Sequence, residues 1–95
     1  MYYKYVSNHK RVDIMNRGYS GYNSQWGLMI LSKVVISENP DMVFVFFGAN
    51  DAVDSSVKQY VPLEQFRHNI RLIVLELRSV LFTYIQYGYI YGYYL

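Results

Sequence analysis

The chain has 95 residues, enough for one small domain, and its 53% apolar and 17% charged content excludes a disordered polypeptide. A formal charge of +2, with nine scattered Lys and Arg, is too small and too dispersed for nucleic-acid binding. Without cysteine the chain has neither a disulfide framework nor a thiolate site; this fits a reducing compartment, and a cytoplasmic location is expected.

Residues 1–10 (MYYKYVSNHK) are polar and aromatic, lack the apolar core of a secretory signal, and read as the end of a helix. Val12 and Ile14 then alternate with Asp13, which predicts a short strand over Val12–Asn16 near a sheet edge. Gly18 and Gly21 punctuate the following loop, and Asn23 or Ser24 is placed to cap a helix. From Gln25 to Ile36 apolar residues crowd most sides (Trp26, Leu28, Met29, Ile30, Leu31, Val34, Val35), as in a helix largely covered by one sheet face. Glu38-Asn39-Pro40-Asp41 ends it, because proline cannot continue a helix and restricts its predecessor.

Met42-Val43-Phe44-Val45-Phe46-Phe47 is an unbroken apolar run and predicts a central parallel strand buried on both faces. Pro62 suits the first turn of a second helix, in which Leu63, Phe66, Ile70, Ile73, Val74 and Leu77 recur at steps of three and four. Glu64, Arg67, His68, Arg71 and Arg78 form its opposite face. Strand, helix, strand, helix with a right-handed βαβ crossover gives an α/β fold. After Arg78 no residue is charged, and half of the twelve tyrosines lie between Tyr84 and Leu95. That stretch is shorter than the ~20 apolar residues of a membrane span. Gln86, Gly88 and Gly92 also interrupt it, so no membrane role is expected. Alternation of Ile85, Tyr87, Tyr89, Tyr91 and Tyr93 suits a strand, which if unpaired would be an exposed, self-associating edge.

In open α/β sheets ligands bind beyond the carboxyl ends of the strands. Two loops begin there, Asn16-Arg17-Gly18-Tyr19-Ser20-Gly21-Tyr22-Asn23 and Gly48-Ala49-Asn50-Asp51. Gly21 can bring its N–H close to a ligand, and Asn50 offers a side-chain amide; two such donors aimed at one spot would stabilise an acyl-transfer oxyanion. Purely local structure is the alternative: Gly18 and Gly21 as turn residues, Asn50 and Asp51 as loop residues bonding their own backbone. No Gly-x-Gly-x-x-Gly loop speaks for a dinucleotide. Two distant histidines, His9 and His68, with no cysteine make no metal site, and no cofactor is expected.

These loops, each after an apolar strand, resemble the SGNH (GDSL-type) hydrolases, and within them the isoamyl acetate-hydrolysing esterase branch. Val61-Pro62-Leu63-Glu64-Gln65-Phe66 and Leu77-Arg78-Ser79-Val80 resemble that branch's next helix, so the likeness runs from about Arg11 to Val80. It implies a partial three-layer α/β/α flavodoxin-like fold lacking the first strand and the C-terminal part. Residues 1–80 would be the partial hydrolase domain and 81–95 a divergent Tyr-rich tail. It further implies that Gly21 and Asn50 are oxyanion donors, that Gly48 shapes the turn aiming Asn50, and that Asp51 belongs to the motif and pins the second loop; Gly18 and Ser20 read as turn formers that support the first loop. The family's nucleophilic serine lies in a Gly-Asp-Ser block and its base is a histidine two residues after an aspartate; neither block occurs here. Ser20 is the nearest substitute nucleophile but has no assignable base.

In the family's strand order, 2-1-3-4-5, the serine strand separates the strands that Val12–Asn16 and Met42–Phe47 would form. Those two must leave a gap, pair directly, or admit a filler such as the tail. Two functional readings follow. One is part of a carboxylic-ester hydrolase acting on a small ester, inactive alone. The other is a non-catalytic module that self-associates or pairs through its strand edge and tail.

Overall fold

The computed structural model describes residues 2–6, 11–80 and 85–87. In order these form β1 (Tyr2–Val6), β2 (Arg11–Met15), α1 (Ser24–Val34), a 3-10 turn (Ile36–Glu38), β3 (Val43–Val45), α2 (Leu63–Val80) and β4 (Ile85–Tyr87). His9 and the tail alternation past Tyr87 lie outside the described residues.

The N-terminal segment corrects the sequence reading. Residues 2–6 form a strand, not a helix end, and pair antiparallel with β2 in the register Tyr2↔Met15 to Val6↔Arg11. Tyrosine and valine favour a pleated strand once a partner exists, and periodicity within ten residues does not reveal that partner. β2 is therefore half of a hairpin. It is not the edge of the sheet that contains β3.

The second sheet is β3 paired in parallel with β4, Val43 opposite Ile85 and Val45 opposite Tyr87. The crossover between parallel strands is thus α2, whereas α1 joins strands of different sheets. Among the described residues β2 and β3 do not pair directly, and the tail segment β4 joins β3 in parallel as the strand that follows the α2 crossover.

Alternation along β3 explains where the core sits. Val45 is buried with Leu31, Val61, Phe66, Ile70, Ile73 and Leu77, and Val43 and Phe47 pack against this cluster. Both helices lie on that side. Phe44 and Phe46 point the other way and are 76% and 72% exposed. The expectation of burial on both faces is wrong, since among the described residues no second helical layer covers the opposite face. An apolar run fits a two-sided strand, but only its neighbours decide whether both sides are covered.

The helices follow their sequence signals more closely. Asn23 is the N-cap of α1, accepting from Trp26 N–H. The helix stops at Val34, and the 3-10 turn closes with Asn39 in the left-handed region (φ 51°) just before Pro40. Its apolar excess is only partly used, for Leu31 is buried while Met29 is exposed. On α2 the buried stripe is Phe66, Ile70, Ile73 and Leu77, and the charged positions face solvent. Each fully buried side chain of that stripe contributes about 1.5–3 kcal/mol of transfer free energy. Gly27 in the first turn of α1 permits a close approach: a Cβ there would collide with the Phe47 ring. Phe47 therefore rests directly on the helix backbone, which brings the chain leaving β3 over the start of α1.

Candidate functional site

The first loop begins where β2 ends. Arg17 makes an ion pair with Glu38 at 2.8 Å, half exposed and therefore of small energetic weight. Gly18 N–H donates to Asn16 Oδ1 at 2.8 Å, so Gly18 serves a tight Asx turn. Tyr22 N–H donates to Tyr19 C=O at 3.1 Å, closing a second turn with Ser20 and Gly21 at its tip. Gly21 has φ +81°, and a Cβ there would meet nothing within 4 Å. Glycine is required for the backbone angle, not for lack of room. Tyr19, Tyr22 and Trp26 stack edge to face (5.1 and 5.5 Å between centroids) and stiffen the turn.

The second loop leaves β3 through Gly48, buried at φ +131°, a conformation that strains any other residue. Gly48 C=O accepts from Ala52 N–H at 2.9 Å, curling the loop so that Asn50 and Asp51 turn toward α1. Asn50 Nδ2 donates to the Tyr22 carbonyl at 2.9 Å. One of the two amide hydrogens of Asn50 is thereby fixed beside Gly21 and the other remains available. Gly21 N–H donates to no described residue. The two loops are joined by the bond from Asn50 to Tyr22, between residues 28 apart in sequence.

Asp51 binds the arrangement from below. Its carboxylate accepts from Ser24 N–H at 2.9 and 3.1 Å and from Ser24 Oγ at 2.5 Å, at the N-terminus of α1. Its carbonyl accepts from Val61 N–H at 3.0 Å. Burial pushes the Asp51 carboxyl above its ordinary value near 3.8, and the Ser24 hydroxyl and amide bonds pull partly against that shift. Ser24 Oγ in turn accepts from Asn69 Nδ2 at 3.0 Å, and Asn69 Oδ1 accepts from Gln65 Nε2 at 2.9 Å. Asn23 Nδ2 donates to the Gln59 carbonyl at 2.8 Å. No buried side-chain polar atom among the described residues lacks a partner.

Of the expected site residues, Asn50 is bonded to the residue after Gly21 and Asp51 to the start of α1, while Gly48 curls the second loop and Gly18 supports the first turn. Ser20 is exposed at the tip of its turn, and His68 lies exposed on α2. The sequence reading missed Asn69, whose signal is a polar residue on an apolar stripe, three after Phe66 and four before Ile73. It took Ser24 only as a cap.

No family model matches the chain. Among curated proteins it is 44% identical over 77 residues to the isoamyl acetate-hydrolyzing esterase 1 homolog of Rattus norvegicus, covering 75% of this chain and 31% of that protein. The isoamyl acetate-hydrolyzing esterase of Saccharomyces cerevisiae is 44% identical over 71 residues, 74% of this chain and 29% of that protein. Over about three quarters of its length the chain matches esterases of the SGNH (GDSL-type) hydrolase family. In structure it superimposes on a catalytic mutant of the acetylxylan esterase of Geobacillus stearothermophilus with a TM-score of 0.71 at 24% identity, covering 79% of this chain and 36% of that one. That likeness places the fold among SGNH-type esterases, of which the described residues form a small α/β part. The chain thus spans about 31% of the length of the first of these curated relatives. No described helix is long and apolar enough to cross a membrane.

Proposed function

We propose that this chain carries the charge-stabilising part of a carboxylic-ester hydrolase site. Gly21 N–H and the free Asn50 Nδ2 hydrogen are the oxyanion donors. A serine oxygen attacks the ester carbonyl, its proton passes to a base, and the carbonyl electrons move onto the acyl oxygen. The two donors meet that oxygen. Collapse expels the alcohol, and water then releases the acid. The serine and base must come from outside this sequence, because no Gly-Asp-Ser occurs in it. Removing one donor of such a pair costs about 10²–10³ in kcat.

One observation carries this reading: Asn50 Nδ2 is held 2.9 Å from the Tyr22 carbonyl, adjacent to a glycine whose own N–H is unspent. The relatives' names speak of two acetyl esters, isoamyl acetate and acetylxylan, so a small acetyl ester is the substrate class proposed. The chain alone is proposed to be inactive. Incubating it with p-nitrophenyl acetate should give no turnover above background. Turnover abolished by Ser20→Ala would overturn this assignment of parts.

A second reading is favoured by the Phe44 and Phe46 face. Two aromatic side chains exposed on a sheet, beside a strand paired on one edge, suit association with another chain. Size-exclusion chromatography with and without residues 81–95 tests it. A tail without effect on oligomeric state or solubility would count against it.

A further inference from the structure

The donors around Ser24 all run one way. Its hydroxyl carries a single hydrogen, and an ionised carboxylate only accepts. The proton of Ser24 Oγ therefore lies on the 2.5 Å contact to Asp51, and the same oxygen must accept from Asn69 Nδ2. Asn69 is 1% exposed and has both ends of its amide engaged, one by Gln65 and one by Ser24. The direction Gln65 to Asn69 to Ser24 to Asp51 follows from that one-proton count.

Such a chain is more than a filled core position. Asn69 sits where the stripe of α2 would accept leucine, and an apolar side chain there would avoid the cost of burying an amide. What the amide adds is direction: it keeps the Ser24 hydroxyl from rotating away from Asp51. Asp51 is covalently joined to Asn50, and the Tyr22 carbonyl is the other anchor of the Asn50 side chain. The loop bearing the side-chain donor is thus held through Asn50, through the Asp51 carbonyl, which accepts from Val61 N–H, and through the Asp51 carboxylate, the anchor governed from α2, 45 residues from Ser24 in sequence.

We propose that Asn69 is a positioning residue: by donating to Ser24 Oγ it holds that hydroxyl on Asp51 and so fixes the Asn50 amide beside Gly21. This rests on the reading of Gly21 and Asn50 as oxyanion donors, yet it concerns what holds them and can fail separately.

The test is hydrogen exchange by NMR on the full chain, reading the Asn50 side-chain amide and the Ser24 backbone amide. Asn69→Leu should speed both by about tenfold, the equivalent of about 1.4 kcal/mol. In a Ser24→Ala background the same substitution should change the Asn50 rate by less than about twofold, as for residues no longer coupled. Unchanged rates in Asn69→Leu overturn the proposal, and so does a full tenfold effect without the Ser24 hydroxyl. Should the variants not fold, the unsubstituted chain decides. A Ser24 hydroxyl proton in slow exchange supports the proposal, and one exchanging as fast as a solvated serine overturns it. If the exchange results hold while a restored enzyme is insensitive to Asn50, the oxyanion reading fails and the role of Asn69 stands.

Discussion

The two sides of the second sheet contrast sharply in how they are finished. At the end of β3, loop and helix termini are joined by a buried polar seam, Asp51 to Ser24 to Asn69, with every described buried side-chain polar atom bonded. On the face of β3 away from both helices, Phe44 and Phe46 stand open. The difference separates two requirements of the fold. The two loops are held by α1, by α2 and by the segment that leads into α2, through Gln59 and Val61. The apolar face gains nothing from that seam.

The largest effect expected concerns the seam's purpose. In a fusion that restores a Gly-Asp-Ser segment ahead of this chain and the aspartate–histidine block after it, Asn50→Ala should lower kcat by about 10²–10³ with KM nearly unchanged. Steady-state kinetics on p-nitrophenyl acetate reads this, and a change confined to KM would reduce Asn50 to a binding residue. Next comes the seam's own integrity. Asp51→Ala leaves the amide and hydroxyl of Ser24 without an acceptor in a buried position, a loss of about 1–3 kcal/mol by urea unfolding. Asp51→Asn keeps an acceptor and should cost less; equal losses would show that the charge, not the bonding, matters.

A pH series sharpens the same point. Asp51 has a raised carboxyl, so the stability linked to it is fully present below 3.8 and is lost as pH rises through its higher folded value. Asp54, exposed and bonded by the Ser56 hydroxyl and amide, is lowered; its contribution is present above 3.8 and is lost as pH falls through its folded value. On mild acidification the urea midpoint should therefore gain from Asp51 before it loses from Asp54, and the gain should vanish in Asp51→Asn. The smallest effect belongs to the open face. Phe44→Lys and Phe46→Lys should change stability by within about 0.5 kcal/mol, since the side chains touch little. They should nonetheless reduce any self-association seen by sedimentation. A large loss of stability would mean that the face is covered in solution.

Much of this was legible in the sequence where the signal is local. The three-and-four spacing from Phe66 to Leu77 gave α2 and its buried side, and Asn23 was a visible cap. The two loops stand out by their place after apolar strands, and likeness to a known family gives them roles; Asp51 is bonded to Ser24 at the start of α1. What stayed hidden depends on contacts between distant segments. The pairing of Tyr2–Val6 with β2 needed a partner that no short window contains. The exposure of Phe44 and Phe46 depends on which elements are present to cover them. Asn69 was readable in principle as an amide out of place on an apolar stripe, but only Ser24, brought alongside by the fold, gives it a purpose.

The seat of Asp51 has one more outcome for solution chemistry. An α-helix start commonly attracts phosphate, sulfate or a substrate's acid group. At α1 that seat is already taken by a built-in counter-ion, held by the first residue of the helix. Buffer anions should therefore find no foothold at this terminus, and raising phosphate at constant ionic strength should leave the Ser24 amide resonance where it is.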